Sequence, residues 1–350
     1  MHIVGIVGTA KNTGKTTTLA ALIGEAGRRG ERIGVTGIGY DGEEIDTVTG
    51  LPKPRLLLQP GTIVATSEQC LQTSSATYSV IKTTTTRTAL GAVVIVEILT
   101  AGLMVLAGPN TKRLLTDLVG ELAEMGLAAL FVDGSLNRIA AMSVAGSIVF
   151  TTGASRTTEV SFLSEEARAI CGVFKGKKYD LAPGIGTIEV HDASGAAVVR
   201  TPMLSLFDAD DAERMAALLT DSAVRIVIPK MVSLQALDTF VRRLAPASHR
   251  GLTIVVGDAT IALLAGDPIA MKRWIDAAAA HGLTMGYMRA IRVAAMTVNP
   301  FYPLPQEHAF VPAYIDKEEL LRSVSDNVDV PVFNIKDEGA ASALYDLIRQ

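Results

Sequence analysis

Cysteine is scarce: the 350 residues hold two, Cys70 and Cys171, far apart and in no C-x-x-C pairing. That excludes a disulfide framework and suits two buried thiols in a reducing, cytoplasmic compartment. Positive charge is not in excess either, with 32 Lys and Arg against 36 Asp and Glu. No Lys/Arg stripe interleaved with aromatics is visible, so there is no field for counterion release and nucleic acid is not expected as a partner. The five histidines, His2, His191, His249, His281 and His308, lack metal-ligand spacing, and there is no nucleophile elbow. No repeat of fixed period runs through the chain. The opening "MHIVGIVG" has no basic segment before its apolar run, so no signal peptide is expected.

Long uninterrupted apolar stretches are also missing, with one approximation: Leu90 to Pro109. It is about as long as a bilayer crossing requires. Glu97 and Thr100 stand at its centre, where a carboxylate in hydrocarbon is costly. Two buried strands, "AVVIVEIL" and "GLMVLAGP", joined by a tight turn are expected instead, and no membrane association.

What is present is a globular balance, 49% hydrophobic and 19% charged, in a chain long enough for two cores. In the first half, short Val/Ile/Leu runs ("HIVGIVG", "RIGVTGIG", "AALFVDG", "GSIVFTTG") alternate with helical stretches. Near-continuous apolar strands separated by helices indicate a mostly parallel sheet covered on both faces, the α/β class. The Pro/Gly-bearing segment Lys175 to Gly186 suggests a boundary, with one domain over residues 1–180 and a second α/β domain over 181–350. The second is expected to open with a hairpin turning at Ser194-Gly195. "KTTTTRT", Lys82 to Thr88, reads as a polar loop or strand end.

The segment that carries chemistry is "GTAKNTGKTT", Gly8 to Thr17, between the first strand and the first helix. A P-loop works because main-chain N–H groups and a helix N-terminus converge on phosphate oxygens, while its lysine reaches the β/γ oxygens and its hydroxyl binds Mg²⁺. Gly14, Lys15 and Thr16 stand at the corresponding places. Gly8, Thr9, Lys11, Asn12, Thr13 and Thr17 complete the candidate phosphate-binding set, although Gly8 stands one residue too early for the G-x-x-x-x-G-K-[ST] spacing. Magnesium requires further oxygens, usually carboxylates at neighbouring strand ends. "FVDGSLNR" offers Asp133 at such an end, and "GIGYDGEEID" offers Asp41, Glu43 and Glu44 after the second strand, of which Asp41 is the candidate that binds metal or orients an attacking water.

Gly37 to Gly42 also spells G-x-G-x-x-G, but "EEIDTVTGLPKP" follows where a dinucleotide site needs a helix, so no Rossmann cofactor is expected. Two further strand ends, "TTGASR" (Thr151 to Arg156) and "TVNP" (Thr297 to Pro300), could contact base, ribose or substrate, with Asn299 able to read a base edge; each could equally be a cap or turn.

The longer loop, six steps from Gly8 to Gly14, resembles that of dethiobiotin synthase, in the SIMIBI-type class of P-loop NTPases. MinD-like members of that class carry a signature lysine after the first glycine that acts across a dimer. Here the slot counted back from Gly14 is Ala10, and Lys11 is one residue on. Lys11 is therefore either a trans-acting residue, which would require a homodimer, or a solvated lysine attracted to phosphate. The motifs "VGTAKNTGKTTTL", "IGVTGIGYDGEEIDTVTGLPKPR", "GTIVAT", "LAGPN", "FVDGSLNRIA" and "TTGASR", with weaker echoes in "VAAMTVNPFYP" and "VPVFNI", resemble the P-loop subunit of the reactivase for lysine 5,6-aminomutase and related adenosylcobalamin-dependent aminomutases. The likeness covers most of residues 1–160 and is patchy beyond. It implies a cytoplasmic ATPase using ATP and Mg²⁺ to release damaged cofactor from a partner aminomutase, alongside a MutS-like ATPase subunit. Carried over, Lys15 and Asp41 would be catalytic, and Thr16, Asp41 and Asp133 would hold the metal. Two alternatives stay open. One is a small-molecule ligase or kinase of dethiobiotin-synthase type, although that family's Lys-Pro motif belongs on the second strand and Lys53-Pro54 comes later here. The other is a nucleotide-binding regulatory module without turnover.

Overall fold

A computed structural model describes residues 1–39, 55–181, 186–244, 251–306 and 309–350. They form two compact units, residues 1–164 with 292–350, and residues 165–291.

The first stretch of the larger unit runs β1 (His2–Gly8), α1 (Lys15–Arg28), β2 (Ile33–Gly37), β3 (Leu56–Leu58), β4 (Ile63–Ser67), α2 (Glu68–Gln72), β5 (Thr77–Thr88), β6 (Gly91–Thr100), β7 (Gly102–Met104), α3 (Lys112–Ala123), β8 (Ala129–Ser135), a 3₁₀ segment and β9 (Ser147–Gly153), and α4 (Val160–Phe174) begins in it and continues into the smaller unit. The smaller unit adds β10 (Lys177–Lys178), β11 (Glu189–His191), β12 (Ala197–Arg200), α5 (Ala209–Ala217), β13 (Arg225–Ile228), α6 (Leu234–Arg243), β14 (Thr253–Asp258), α7 (Ala259–Leu264), α8 (Pro268–Ala280) and β15 (Thr284–Arg289). The chain then returns to the larger unit with β16 (Arg292–Asn299), β17 (Phe301–Gln306), β18 (Ala309–Tyr314), α9 (Lys317–Asn327), β19 (Val332–Phe333) and α10 (Ala340–Ile348).

The larger unit is built on a nine-stranded sheet, β19-β16-β9-β1-β8-β2-β4-β6-β5. It is parallel from β19 through β4, and β6 and β5 are added antiparallel. β2, β4 and β9 are buried at every residue and the middles of β1 and β8 likewise, as apolar runs covered on both faces must be: Val4, Ile6, Val35, Phe131, Val149 and Phe150 are all inaccessible. The α/β class with a mostly parallel sheet is thus as expected.

The division of the chain differs from a cut near residue 180. Arg292 to Asn299 pairs in register with β9, which places the C-terminal stretch in the first sheet. Lys177 and Lys178 pair with Gly286 and Tyr287, inside the smaller unit. Charge and aromatic contacts then tie α10 to α1: Arg29 donates to Asp346 at 2.5 Å and lies 4.9 Å over the Tyr345 ring, while the Tyr345 hydroxyl donates to Glu31 at 3.0 Å. Burial and the Glu31 hydrogen bond push the Tyr345 hydroxyl's pKa up to about 12.

The smaller unit has its own sheet, β10-β15-β14-β13-β11-β12, in which the hairpin β11-β12 turns at Gly195 with φ 86°. Asp192 secures that turn, accepting from Ser194 and Ala196.

Of two local expectations one holds and one changes. Lys82 to Thr88 is the C-terminal part of the edge strand β5, the strand end of the two readings, where threonine's branched side chain fits a pleated surface. Of the expected pair in Leu90 to Pro109, the first strand is β6, but the second is reduced to Gly102–Met104 against β3. The residues after it form no strand ladder and combine side-chain and main-chain bonds: Thr66 Oγ1 donates to Val105 O and accepts from Ala107 N, and Ala107 O accepts from both Ser67 Oγ and Ser67 N. No helix among the described residues is long and apolar enough to cross a membrane.

Candidate functional site

Parallel register brings four strand ends to one edge of the sheet. Gly8 is opposite Ser135 and Thr151, Thr297 is opposite Thr151, and Asn299 is opposite Gly153. The carboxyl edge of an open α/β sheet is where ligands bind, because loops diverge there and leave a crevice. The loop Gly8 to Gly14 crosses this edge and turns into α1 at Gly14, whose φ of 97° is a left-handed conformation that a side chain rarely adopts. Asn12, at φ 61°, is the one non-glycine residue with positive φ among the described residues.

The loop is held by hydroxyl groups. Thr13, almost fully buried, donates from Oγ1 to Ala10 O at 3.0 Å and shares a hydrogen bond with Thr151 Oγ1 at 3.0 Å. Thr9 donates from its main chain to Thr151 O at 2.9 Å and from Oγ1 to Thr152 Oγ1 at 3.2 Å. At the head of α1, Thr18 and Thr297 share a bond of 3.0 Å. Asn299 Nδ2 donates to Asn12 O at 2.9 Å, and its Oδ1 accepts from Phe301 N at 3.3 Å. The early glycine has a physical reason: a Cβ on Gly8 would stand 2.9 Å from Thr13 Oγ1 and 3.0 Å from Ala10 O, so the loop can curl back over that position only without a side chain.

Lys15 begins α1, and its Nζ donates to Asp133 Oδ2 at 2.9 Å, from the neighbouring strand β8. Asp133 Oδ1 lies 2.9 Å from the same nitrogen as an ion-pair contact without hydrogen-bond alignment. It is buried and accepts no hydrogen bond. Helix α1 has no side-chain cap at Gly14, so the N–H groups of its first turn remain open to an external acceptor.

The donor set fits a magnesium ion bound by few protein ligands. Asp133 Oδ1 is an orphaned carboxylate oxygen, Thr16 is a half-buried hydroxyl, and among the described residues no group of three or more His, Cys, Asp or Glu forms an all-protein cage. Such an ion takes most of its ligands from phosphate and water.

The candidates from sequence thus sort by place. Gly8 to Thr17 and Asp133 come together. Asp41 lies outside the described residues, as do Glu43, Glu44 and Lys53-Pro54. The hydroxyls of Thr9 and Thr13 are turned inward to hold the loop, leaving their main chain as what they can offer a ligand. Asn299 has its amide committed to the loop backbone. Sequence pattern gives no sign of Thr18, and the one signal for Asn334 is its place directly after the strand Val332–Phe333, at the same sheet edge. No protein-family model matches the chain, and neither does any curated protein or solved structure.

Proposed function

We propose that the larger unit binds a nucleoside triphosphate with Mg²⁺ at the loop Gly8 to Thr17 and hydrolyses it. The observation carrying this reading is the Lys15–Asp133 pair: a lysine at an uncapped helix N-terminus facing a strand-end carboxylate with an unused oxygen. In it, the loop amides and the α1 N-terminus bind phosphate oxygens. Lys15 would leave Asp133 to neutralise charge on the β/γ oxygens, and Thr16 and Asp133 would hold the metal, which would supply further charge neutralisation on the phosphoryl group. Asp41 is the proposed acid that orients the attacking water.

The resemblance to the reactivase subunit extends the proposal. ATP would be the nucleotide, and the task would be release of damaged cofactor from an adenosylcobalamin-dependent aminomutase, with a MutS-like subunit beside it. Different affinities of the triphosphate and diphosphate states for the partner would bias that enzyme towards an open form. The test is hydrolysis by the full chain with and without an inactivated aminomutase. A slow basal rate that rises with the aminomutase, together with co-purification, supports the reading. No stimulation and no complex refutes the reactivase assignment, and triphosphate consumption only in step with an added amine or carboxylate would favour the ligase.

A further inference from the structure

The smaller unit carries two cations that no carboxylate answers. Its sheet sets Arg225 directly opposite His191 of β11 and level with Thr253 of β14 and Thr284 of β15. Lys177 of β10 is level with Gly286, two residues further along β15. Residues in register, or two apart on one strand, share a face, so Lys177, Arg225 and His191 stand on one face of this sheet. Tyr179 lies over Gly286: a Cβ there would meet Tyr179 Cε2 at 2.3 Å, so only a glycine leaves room for the ring. The Arg225 guanidinium carbon is 4.8 Å and Lys177 Nζ 5.3 Å from the centre of that ring, so the two cations are at most about 10 Å apart, the sum of those distances.

An aromatic face attracts a cation, but a second cation beside it is repelled by the first. Neither charge is neutralised within the protein. Among the described residues, Arg225 and Lys177 have no ion pair and no side-chain hydrogen bond, and the Tyr179 hydroxyl has no hydrogen bond either. Arg225 Nε is buried without a hydrogen-bond partner, and so is Nδ1 of the facing His191, a residue 4% exposed. The polar groups around them are committed elsewhere. Glu189, two residues before His191 and on the same face, accepts from His191 Nε2 at 2.9 Å and from Arg200 Nε at 3.2 Å. Asp180 pairs with Lys178 at 2.8 Å, and Thr253 and Thr284 bond each other at 3.0 Å. Buried polar groups nearly always have partners, so an idle guanidinium nitrogen beside a second unpaired cation calls for an anion.

We propose that Arg225, Lys177 and Tyr179 form a binding site for a phosphate group in the smaller unit. The claim does not depend on the loop Gly8 to Thr17. A phosphate group brings up to about two negative charges and three acceptor oxygens, which suit a guanidinium fork, an ammonium and a hydroxyl together; a single carboxylate brings one charge to two cations. Arg225, half-buried, supplies the planar fork. Lys177, exposed on a flexible stem, closes on the phosphate from the rim, and the Tyr179 hydroxyl adds a neutral donor.

The test is titration calorimetry of the full chain carrying Lys15→Ala, in EDTA, so that neither the loop lysine nor a metal contributes. The probes are inorganic phosphate, phenyl phosphate and acetate. Phosphate or its ester should bind, and acetate far more weakly. Arg225→Met, added to that background, should weaken phosphate binding about tenfold or more, as expected for loss of a hydrogen bond to a charged group. Lys177→Met should weaken it in the same direction, and because Lys177 is exposed this variant keeps the proposal testable if Arg225→Met fails a circular-dichroism check of folding. Equal or tighter binding of inorganic phosphate marks the free ion as the ligand, whereas tighter binding of the ester marks a phosphorylated organic molecule; either supports the site. No binding of phosphate or its ester, affinities unchanged by Arg225→Met and Lys177→Met, or acetate bound as tightly as phosphate overturns the proposal.

Discussion

The pair between Lys15 and Asp133 competes with the ligand proposed for the same lysine, and the competition can be measured. The side chains are 27% and 23% exposed and 2.9 Å apart, between the surface and interior regimes. Exposed pairs contribute up to about 1 kcal/mol, whereas breaking a buried one costs about 3–5 kcal/mol, so a coupling of about 1–2 kcal/mol is expected here. Lys15→Met, which keeps the aliphatic stem, and Asp133→Asn should each lower the melting temperature of the larger unit by about 2–8 °C at the usual 2–4 °C per kcal/mol for a unit of this size. In a double-mutant cycle the second change should add little. Because binding must open the pair, Asp133→Asn should tighten magnesium-free tripolyphosphate binding by about 5- to 30-fold, the equivalent of 1–2 kcal/mol. The same variant should lose the enhancement that Mg²⁺ gives, since one carboxylate oxygen is then an NH₂ group and the other a neutral amide oxygen. Scanning calorimetry supplies the stabilities, and titration calorimetry with and without EDTA the affinities. Strictly additive single effects would mean that the pair does not form, and weaker magnesium-free binding by Asp133→Asn would refute the competition.

Gly14→Ala places a Cβ at φ 97° and 3.3 Å from Asn299 Cβ, so a loss of about 1–2 kcal/mol in urea unfolding is expected together with weaker tripolyphosphate binding. Unchanged stability would show that Gly14 does not hold this conformation. Thr13→Val leaves Thr151 Oγ1 without its partner in a buried position, a penalty of about 1–3 kcal/mol that Thr151→Val should partly relieve in the double variant. The pH profile of stability should reflect Glu25, whose pKa is held below 4.5 chiefly by the hydrogen bond from Arg29, against the opposing effect of burial and with help from the Arg28 charge. A depressed carboxylate pKa stabilises the fold fully above its unfolded value of 4.5, and that contribution disappears as pH falls through the lower folded value. Arg29→Met should therefore flatten the fall in melting temperature below pH 4.5, measured between pH 3 and 7. An unchanged slope would place the acid sensitivity elsewhere.

Local pattern was enough to locate most elements of the larger unit, because continuous apolar runs such as "HIVGIVG" and "GSIVFTTG" have one economical fate, a strand covered on both faces. The loop was legible for a similar reason: its glycines, lysine and threonines are consecutive, and strand and helix stand at either end. Pairing between distant segments was not. Nothing local to "IRVAAMTVNP" announces that it will bind β9 across an intervening unit, since register is decided by neighbours in space. The roles of single polar groups were equally hidden. Threonines 9 and 13 look like ligand groups in a linear motif, yet tertiary contacts with Thr151 and Thr152 turn their hydroxyls inward. The amino-acid order by itself determined which segments must be strands and where phosphate-binding backbone could form. Folding decided which side chains remained available at that edge, because a hydrogen-bonding group serves either the protein or a ligand, and only its surroundings settle which.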